Sequence, residues 1–359
     1  MQIPKSLSQR VYQKKNNTQT DYLPLSLIHC ILSGMTRKLT HQQQRRIATL
    51  HDKRRTATQT DEEALIGEIQ TGLLIVRHGR SAFVENDVGE LIHCHLRQNL
   101  ADVVAGDQVC WQATVNGGNR GVIVAVLPRK TVYTKLANAE GKVLAANMTC
   151  LVVVFAPEPC PTPGLLDKYL IAAELSLLKT IFVLNKCDLL PDFPLSDLDI
   201  YRDLGYPILE ISTLNGTGFD KLQDALRSEI SLIVGQSGVG KSSLIQRLLP
   251  ESDIRIGAIS EATGFGRHTT SSARFYHLSE GGAIIDSPGV RNRELGSLTQ
   301  RQVELGFIEC RDLIGQCKFR DCTHEHEPGC AVIEAMKTGK MSVVRYERLL
   351  SFLRADTSR

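Results

Sequence analysis

The chain has 359 residues, 42% of them hydrophobic and 23% charged, with a formal net charge of +3. That length is too great for one ordinary core and implies two or three domains of a soluble globular protein. So small a charge surplus does not by itself imply nucleic-acid binding, and the apolar run "LPLSLIHCIL" at 23–32 is too short to span a bilayer.

Residues 1–34 show no clear periodicity, and Met35 is a candidate start. From Thr36 to Asp61 the chain carries Arg37, Lys38, Arg45, Arg46, Lys53, Arg54 and Arg55 among Gln and Thr, with almost no large apolar residues. Such a segment cannot build a core. Residues 1–64 are therefore expected to be a flexible basic extension, either a solvated tail or an arm that neutralises nucleic-acid phosphates.

Between residues 65 and 135 short alternating runs follow one another: "GLLIVRHG", "SAFVEN", "LIHCHLRQ", "DQVCWQATV" and "RGVIVAVLPR". Gly, Asn and Asp turn signals separate them, which predicts a small barrel of the oligonucleotide-binding (OB) type. Arg77, His78, Arg80, Arg97, Trp111 and Arg120 are available there for phosphates and bases, although single aromatics such as Trp111 and Phe83 fit a barrel core better.

From 147 to 295 the strands become continuous apolar runs, "CLVVVFA", "TIFVLN", "PILEIS", "SLIVG" and "AIID", alternating with helical stretches. Runs of this kind belong to a parallel sheet covered on both faces, with its ligand at the carboxyl ends of the strands. After "SLIV" the segment Gly235, Gln236, Ser237, Gly238, Val239, Gly240, Lys241, Ser242, Ser243 satisfies the P-loop pattern. Its backbone N–H groups cradle phosphates, Lys241 reaches the β and γ oxygens, and Ser242 ligates Mg²⁺. Asn185, Lys186 and Asp188 follow another apolar strand, where a carboxylate can accept the ring N–H and the exocyclic amine of guanine. Adenine would leave that carboxylate unpaired. Ser212 and Thr213 supply a further base loop. Asp286 and Gly289 in "IIDSPGV" are expected to hold Mg²⁺ and the γ-phosphate, and one of Thr269 and Thr270 to ligate Mg²⁺ in the triphosphate state.

The base reader thus precedes the phosphate cradle, a circular permutation that leaves the site intact because each element caps a separate strand at one sheet edge. The segment after Asp286 then runs directly into the C-terminal domain. Val290 stands where many GTPases carry a water-orienting glutamine, so slow unaided hydrolysis is expected. His268 is the candidate for positioning or activating water once a partner orders its loop.

Residues 296–359 hold "CKFRDCTHEHEPGC", in which Cys317, Cys322, His324 and Cys330 form a set suited to a closed, tetrahedral structural zinc site. Cys310 and His326 are spare candidates, and Lys318, Arg320 and Arg311 could touch phosphate. With ten cysteines in enzyme-like sequence and no convincing export signal, reduced thiols in a cytoplasm fit better than disulfides.

The motifs "NKCDLL", "GQSGVGKSSL", "GRHTT", "DSPGV" and "CKFRDCTHEHEPGC" resemble, in this order, the ribosome small-subunit-dependent GTPase A family, from about Met35 to the end. The hydroxyl run "HTTSS" at 268–272 is a mild departure, and residues 1–34 have no counterpart. The resemblance implies a multidomain α/β fold: an N-terminal OB-fold barrel, a central circularly permuted P-loop GTPase domain and a C-terminal helical zinc-binding domain. It implies GTP/GDP, Mg²⁺ and one structural Zn²⁺ as cofactors. It further implies a cytoplasmic monomer without membrane contact that binds the small ribosomal subunit and its RNA, is stimulated by it, and acts in late maturation and factor release. The alternative is an RNA-binding scaffold whose nucleotide site hydrolyses nothing.

Overall fold

Strands whose apolar residues alternate bury one face, and strands apolar throughout bury two; both kinds occur here, and they divide the molecule. The computed structural model describes residues 65–97, 100, 102–115, 119–134, 143–192, 198–249, 273–286 and 298–357. The basic extension 1–64 and the candidates His268, Thr269, Thr270, Gly289 and Val290 lie outside the described residues.

The alternating runs form β1 (Leu65–His78), β2 (Ser81–Glu85), β3 (Leu91–Leu96), β4 (Gln108–Thr114) and β5 (Arg120–Val126). They pair in the order β1-β2-β3-β5-β4, and a β1–β4 pairing closes the barrel. Only β3 and β5 run parallel within it, with His93 opposite Arg120. A register shift between Leu74 and Val76 bends β1 so that one long strand serves both closing neighbours. Leu74, Val84, Ile92, Val109, Trp111 and Ile123 fill the interior. Trp111 is 4% exposed and its indole N–H donates to the Thr71 carbonyl at 3.3 Å. It is therefore a core residue, whereas Arg80, Arg97 and Arg120 stay exposed.

After a small hairpin of β6 (Val132–Thr134) and β7 (Val143–Ala146) comes the α/β region. It runs β8 (Cys150–Phe155), α1 (Leu165–Leu175), β9 (Lys179–Leu184), α2 (Asp199–Asp203), β10 (Ile208–Glu210) and α3 (Phe219–Leu226). It continues through β11 (Ile230–Val234), α4 (Lys241–Leu248), β12 (Arg274–His277) and β13 (Ala283–Asp286). Strand order is β10-β9-β8-β11-β13-β12, parallel except for β12. All of β8 is buried: Leu151, Val153 and Phe155 enter one core, Val152 and Val154 the core on the opposite face. The short β12, "RFYH", has no apolar run and left no sequence signal. It also meets the barrel, with Val76 opposite Arg274 and His277 2.7 Å from Glu85.

The C-terminal region comprises α5 (Gln300–Gly306), a 3-10 helix (Ile308–Leu313), α6 (Ala331–Lys337) and α7 (Val343–Thr357). A capping box of Thr299 and Gln302 starts α5. Phe307, Val332, Ala335, Tyr346 and Leu349 build its core, which also takes in Ile171 of α1. A side chain at Gly306 would come within 2.8 Å of Ile171, so only glycine permits that helix contact. Beside it, the buried Arg345 of α7 pairs with Asp167 of α1 and, at 2.7 Å, with Glu309.

Candidate functional site: a nucleotide pocket and a metal centre

The five parallel strands β8, β9, β10, β11 and β13 end at one sheet edge, and the first four each deliver a described loop there. The strand β9 ends one residue before Asn185, which is wholly buried. Its side-chain N–H donates to the Val239 carbonyl at 2.8 Å, and its side-chain oxygen accepts from the Thr213 N–H at 3.1 Å. One amide thus ties the base loop after β9, the loop after β10 and the P-loop after β11. Gly240, at φ 93°, leaves no room for more, since an added Cβ would lie 2.3 Å from that Asn185 nitrogen.

Around this hub the Ser212 hydroxyl donates to Asp188 at 2.5 Å, which fixes the carboxylate while leaving lone pairs to accept from a ligand. Lys186 adopts φ 62° and its ammonium donates to the Glu158 carbonyl at 2.7 Å. In the P-loop, Val239 is buried in the core while Ser237 and Gly238 are exposed. Lys241, 6% exposed, donates to the carbonyls of Gly235, at 2.7 Å, and Gln236. A triphosphate offers that cation stronger, anionic acceptors than two carbonyls. Ser242 and Ser243 are exposed at the start of α4, and Asp286 ends the neighbouring β13. Cradle, lysine and hydroxyl therefore fit a nucleotide with its Mg²⁺.

Two contributors left a weaker signal in the sequence. The turn after β8, "APEPCPTPG", reaches the same edge: Gln236 donates to the carbonyls of Pro159, at 2.6 Å, and Cys160, at 3.3 Å. Its prolines mark a sharp connection, but nothing in them shows that it touches both base loop and P-loop. Arg247 of α4 lies 4.8 Å above the Phe219 ring and donates to the Thr213 carbonyl at 3.1 Å, pinning the second base loop.

The second site sits in the C-terminal region. One ligand atom from each of Cys317, Cys322, His324 and Cys330 falls within 4.8 Å of the others, close enough to share one metal ion. His324 Nδ1 stands 3.3 Å from Cys330 Sγ and 3.7 Å from Cys317 Sγ. Its Nε2 lies 3.1 Å from Glu304, which orients the ring so that Nδ1 faces the sulfurs. Burial opposes the Glu304 charge, yet the His324 and Gln300 hydrogen bonds prevail and hold its pKa below the ordinary value. Cys330 caps α6; burial disfavours its thiolate, but the Ile333 N–H and His324 outweigh this and lower its pKa. The Tyr346 hydroxyl donates to the His324 carbonyl at 2.6 Å, so α7 covers the cluster. Cys310 is instead a core thiol, pushed up to about 12 by burial, and His326 is exposed outside the cluster.

Comparison with known proteins places this geometry. A family model described as the RsgA GTPase matches residues 126–296. The small ribosomal subunit biogenesis GTPase RsgA of Azotobacter vinelandii is 44% identical over 337 residues, which span 88% of this chain and 98% of that protein. The protein of the same name from Pseudomonas putida is 43% identical over 343 residues, spanning 89% and 99%. The crystal structure of YjeQ from Thermotoga maritima matches with a TM-score of 0.63 at 29% identity, covering 81% of this chain and 100% of that one. YloQ, described as a circularly permuted GTPase, shares the fold with a TM-score of 0.64 at 23% identity, covering 84% and 99%.

Proposed function

The chain belongs to the RsgA GTPase family and is a GTP-hydrolysing enzyme, and we propose that it acts on the small ribosomal subunit during late maturation. The relatives' printed role in small-subunit biogenesis supports this, as does an OB-type barrel beside the nucleotide site. Hydrolysis stimulated by the subunit would then check maturation and release other factors. The protein is read as a cytoplasmic monomer; among the described residues no helix is long and apolar enough to cross a membrane.

The observation that carries the reading is the Asn185 hub, which holds base reader and phosphate cradle together despite their permuted order. In it Asp188, steadied by Ser212, accepts both N–H groups of the guanine edge; Lys186 lies along the base, and Thr213 closes the second base loop. Lys241 exchanges the carbonyls of Gly235 and Gln236 for β and γ oxygens, and P-loop N–H groups from Gly235 to Ser243 bind the phosphates. Ser242, Asp286 and one of Thr269 and Thr270 would hold Mg²⁺, which supplies charge neutralisation at the phosphates. Gly289 donates to the γ-phosphate and His268 orients water.

The donor set of Cys317, Cys322, His324 and Cys330 fits one structural Zn²⁺: thiolates with an imidazole suit that ion, and four protein ligands leave no open position.

The test is GTP turnover by the full chain with and without purified small subunits. Turnover should rise strongly with subunits, vanish in Lys241→Ala, and lose stimulation in His268→Ala with nucleotide affinity kept. Equal rates with and without subunits would refute the ribosomal assignment.

A further inference from the structure

Cys317 and Cys322 anchor a knuckle whose tip is Lys318, Phe319, Arg320 and Asp321, all exposed. Phe319 is 42% exposed, and Lys318 Nζ lies 5.6 Å from the centre of its ring. The Lys318 N–H donates to the Gly329 carbonyl at 3.1 Å, so the knuckle is tied back beside Cys330 as well as at both metal-binding ends. An aromatic ring presented on so short and anchored a span loses little freedom when it is covered.

Beside the ring a cavity of about 380 Å³ opens, sharing walls with the metal cluster and lined by Leu313, Ile314, Val332, Gln300, Arg301 and Arg320 as well as Phe319. The acidic group there, Glu304, is already engaged by His324, Gln300 and Arg301. Among the described residues Arg320 has no ion-pair partner, unlike Arg311, which pairs with Glu174 at 2.6 Å. An apolar wall, a flat ring and the two cations Lys318 and Arg320, which outnumber the tip's one exposed carboxylate, Asp321, suit a ligand that is planar and anionic together.

We propose that Phe319, flanked by Lys318 and Arg320, is a stacking platform for one unpaired nucleotide of single-stranded RNA. Cation, ring and cation follow one another along the knuckle as phosphate, base and phosphate follow one another along a strand. Unpaired bases stack on such rings, and guanidinium and ammonium groups take the flanking phosphates. The inference deepens the small-subunit reading, because it names where on this chain an exposed base of that subunit would be held.

The experiment uses the full, metal-loaded chain and an unstructured RNA of about twelve nucleotides, a length within the range of single-strand sites, carrying 5-iodouridine. Irradiation should cross-link the RNA to the peptide that contains Phe319. Phe319→Leu, which keeps an apolar side chain, should abolish that cross-link and weaken RNA binding at least about fivefold, while Phe319→Trp should restore both. Bound zinc and unstimulated GTP turnover should be unchanged in each variant. Arg320→Ala should make binding less salt-dependent without removing the cross-link. Cross-links confined to the barrel, or Phe319→Leu binding as the parent does, would overturn the proposal, and equal cross-linking to DNA of the same sequence would overturn its assignment to RNA. Co-sedimentation with small subunits separates the two readings: subunit binding without a Phe319 cross-link defeats this site alone, whereas the cross-link without subunit binding keeps this site and defeats the ribosomal assignment.

Discussion

Two side chains carry different parts of the proposed nucleotide site, Asp188 the choice of base and Asn185 the joining of its loops. In the proposed site Asp188 would read the base edge by accepting two hydrogens. An amide in its place accepts one and donates one, which suits a purine with a carbonyl where guanine has its amine. Asp188→Asn should therefore lose GDP affinity and gain xanthosine diphosphate, and competition against a fluorescent GDP analogue measures both. Asn185 touches no part of the base in this reading. Replacing it with Ala leaves the Val239 carbonyl and Thr213 N–H without their partner in a buried site, at about 1–3 kcal/mol for each stranded group. The expected result is a loss of GDP and GTP affinity in equal proportion, with base preference retained. A change in base preference in Asn185→Ala would count against the hub. Asp188 and Asn185 are both evident in "NKCDLL", but the Asn185 contact to Thr213, 28 residues downstream, follows only from the placement of β9 and β10 side by side.

At the level of elements, helix α1 joins the two sites. It begins after the Pro-rich turn that Gln236 and Lys186 hold, and Asp167 within it meets Arg345 and Arg348 of α7. Asp167 is fully buried, so Asp167→Ala strands the buried Arg345 guanidinium beside Glu309 alone and should cost about 3–5 kcal/mol, read as a lowered melting temperature. The opposite ends of the strands carry a pH-sensitive tie. Burial disfavours the Glu229 charge, but hydrogen bonds from Lys179 and Thr149 prevail and lower its pKa below the ordinary 4.5. A carboxylate depressed on folding contributes its full stability above the unfolded value and loses it as pH falls through the folded one. Melting temperatures should thus fall less steeply below about pH 4.5 in Glu229→Gln than in the parent, the window set by the ordinary carboxylate value. The long apolar strands and α1 could be read directly from their periodicity. The strand β12 could not, because four residues with polar ends show no period, and only pairing with β13 and β1 makes them a strand.

For the whole molecule, the proposed role of the Cys317, Cys322, His324 and Cys330 cluster as a structural metal site makes the C-terminal core depend on its metal. That core contains Cys322 and Cys330 themselves and is continuous with α1 through Ile171. Chelation of the metal should therefore melt α5 to α7 first, seen as lost helical circular dichroism, and lower the stability of the GTPase region that packs on it. Unchanged melting after complete metal removal would show that the four ligands are not structural. The segment after Asp286 runs toward this region, but residues 287–297 lie outside the described structure; among the described residues α1 also contacts it, through Asp167 with Arg345 and Ile171 with Gly306. The sequence by itself determined the chemistry and the class of each region, because phosphate cradle, base reader and metal ligands are local patterns whose residues lie within a few positions of each other. Tertiary structure alone decided that Arg311 is taken by Glu174, that Arg320 has no ion-pair partner among the described residues, and that Arg345 clamps α1. Those outcomes depend on which distant side chains share a space and compete for one partner, and spacing along the chain carries no record of that competition.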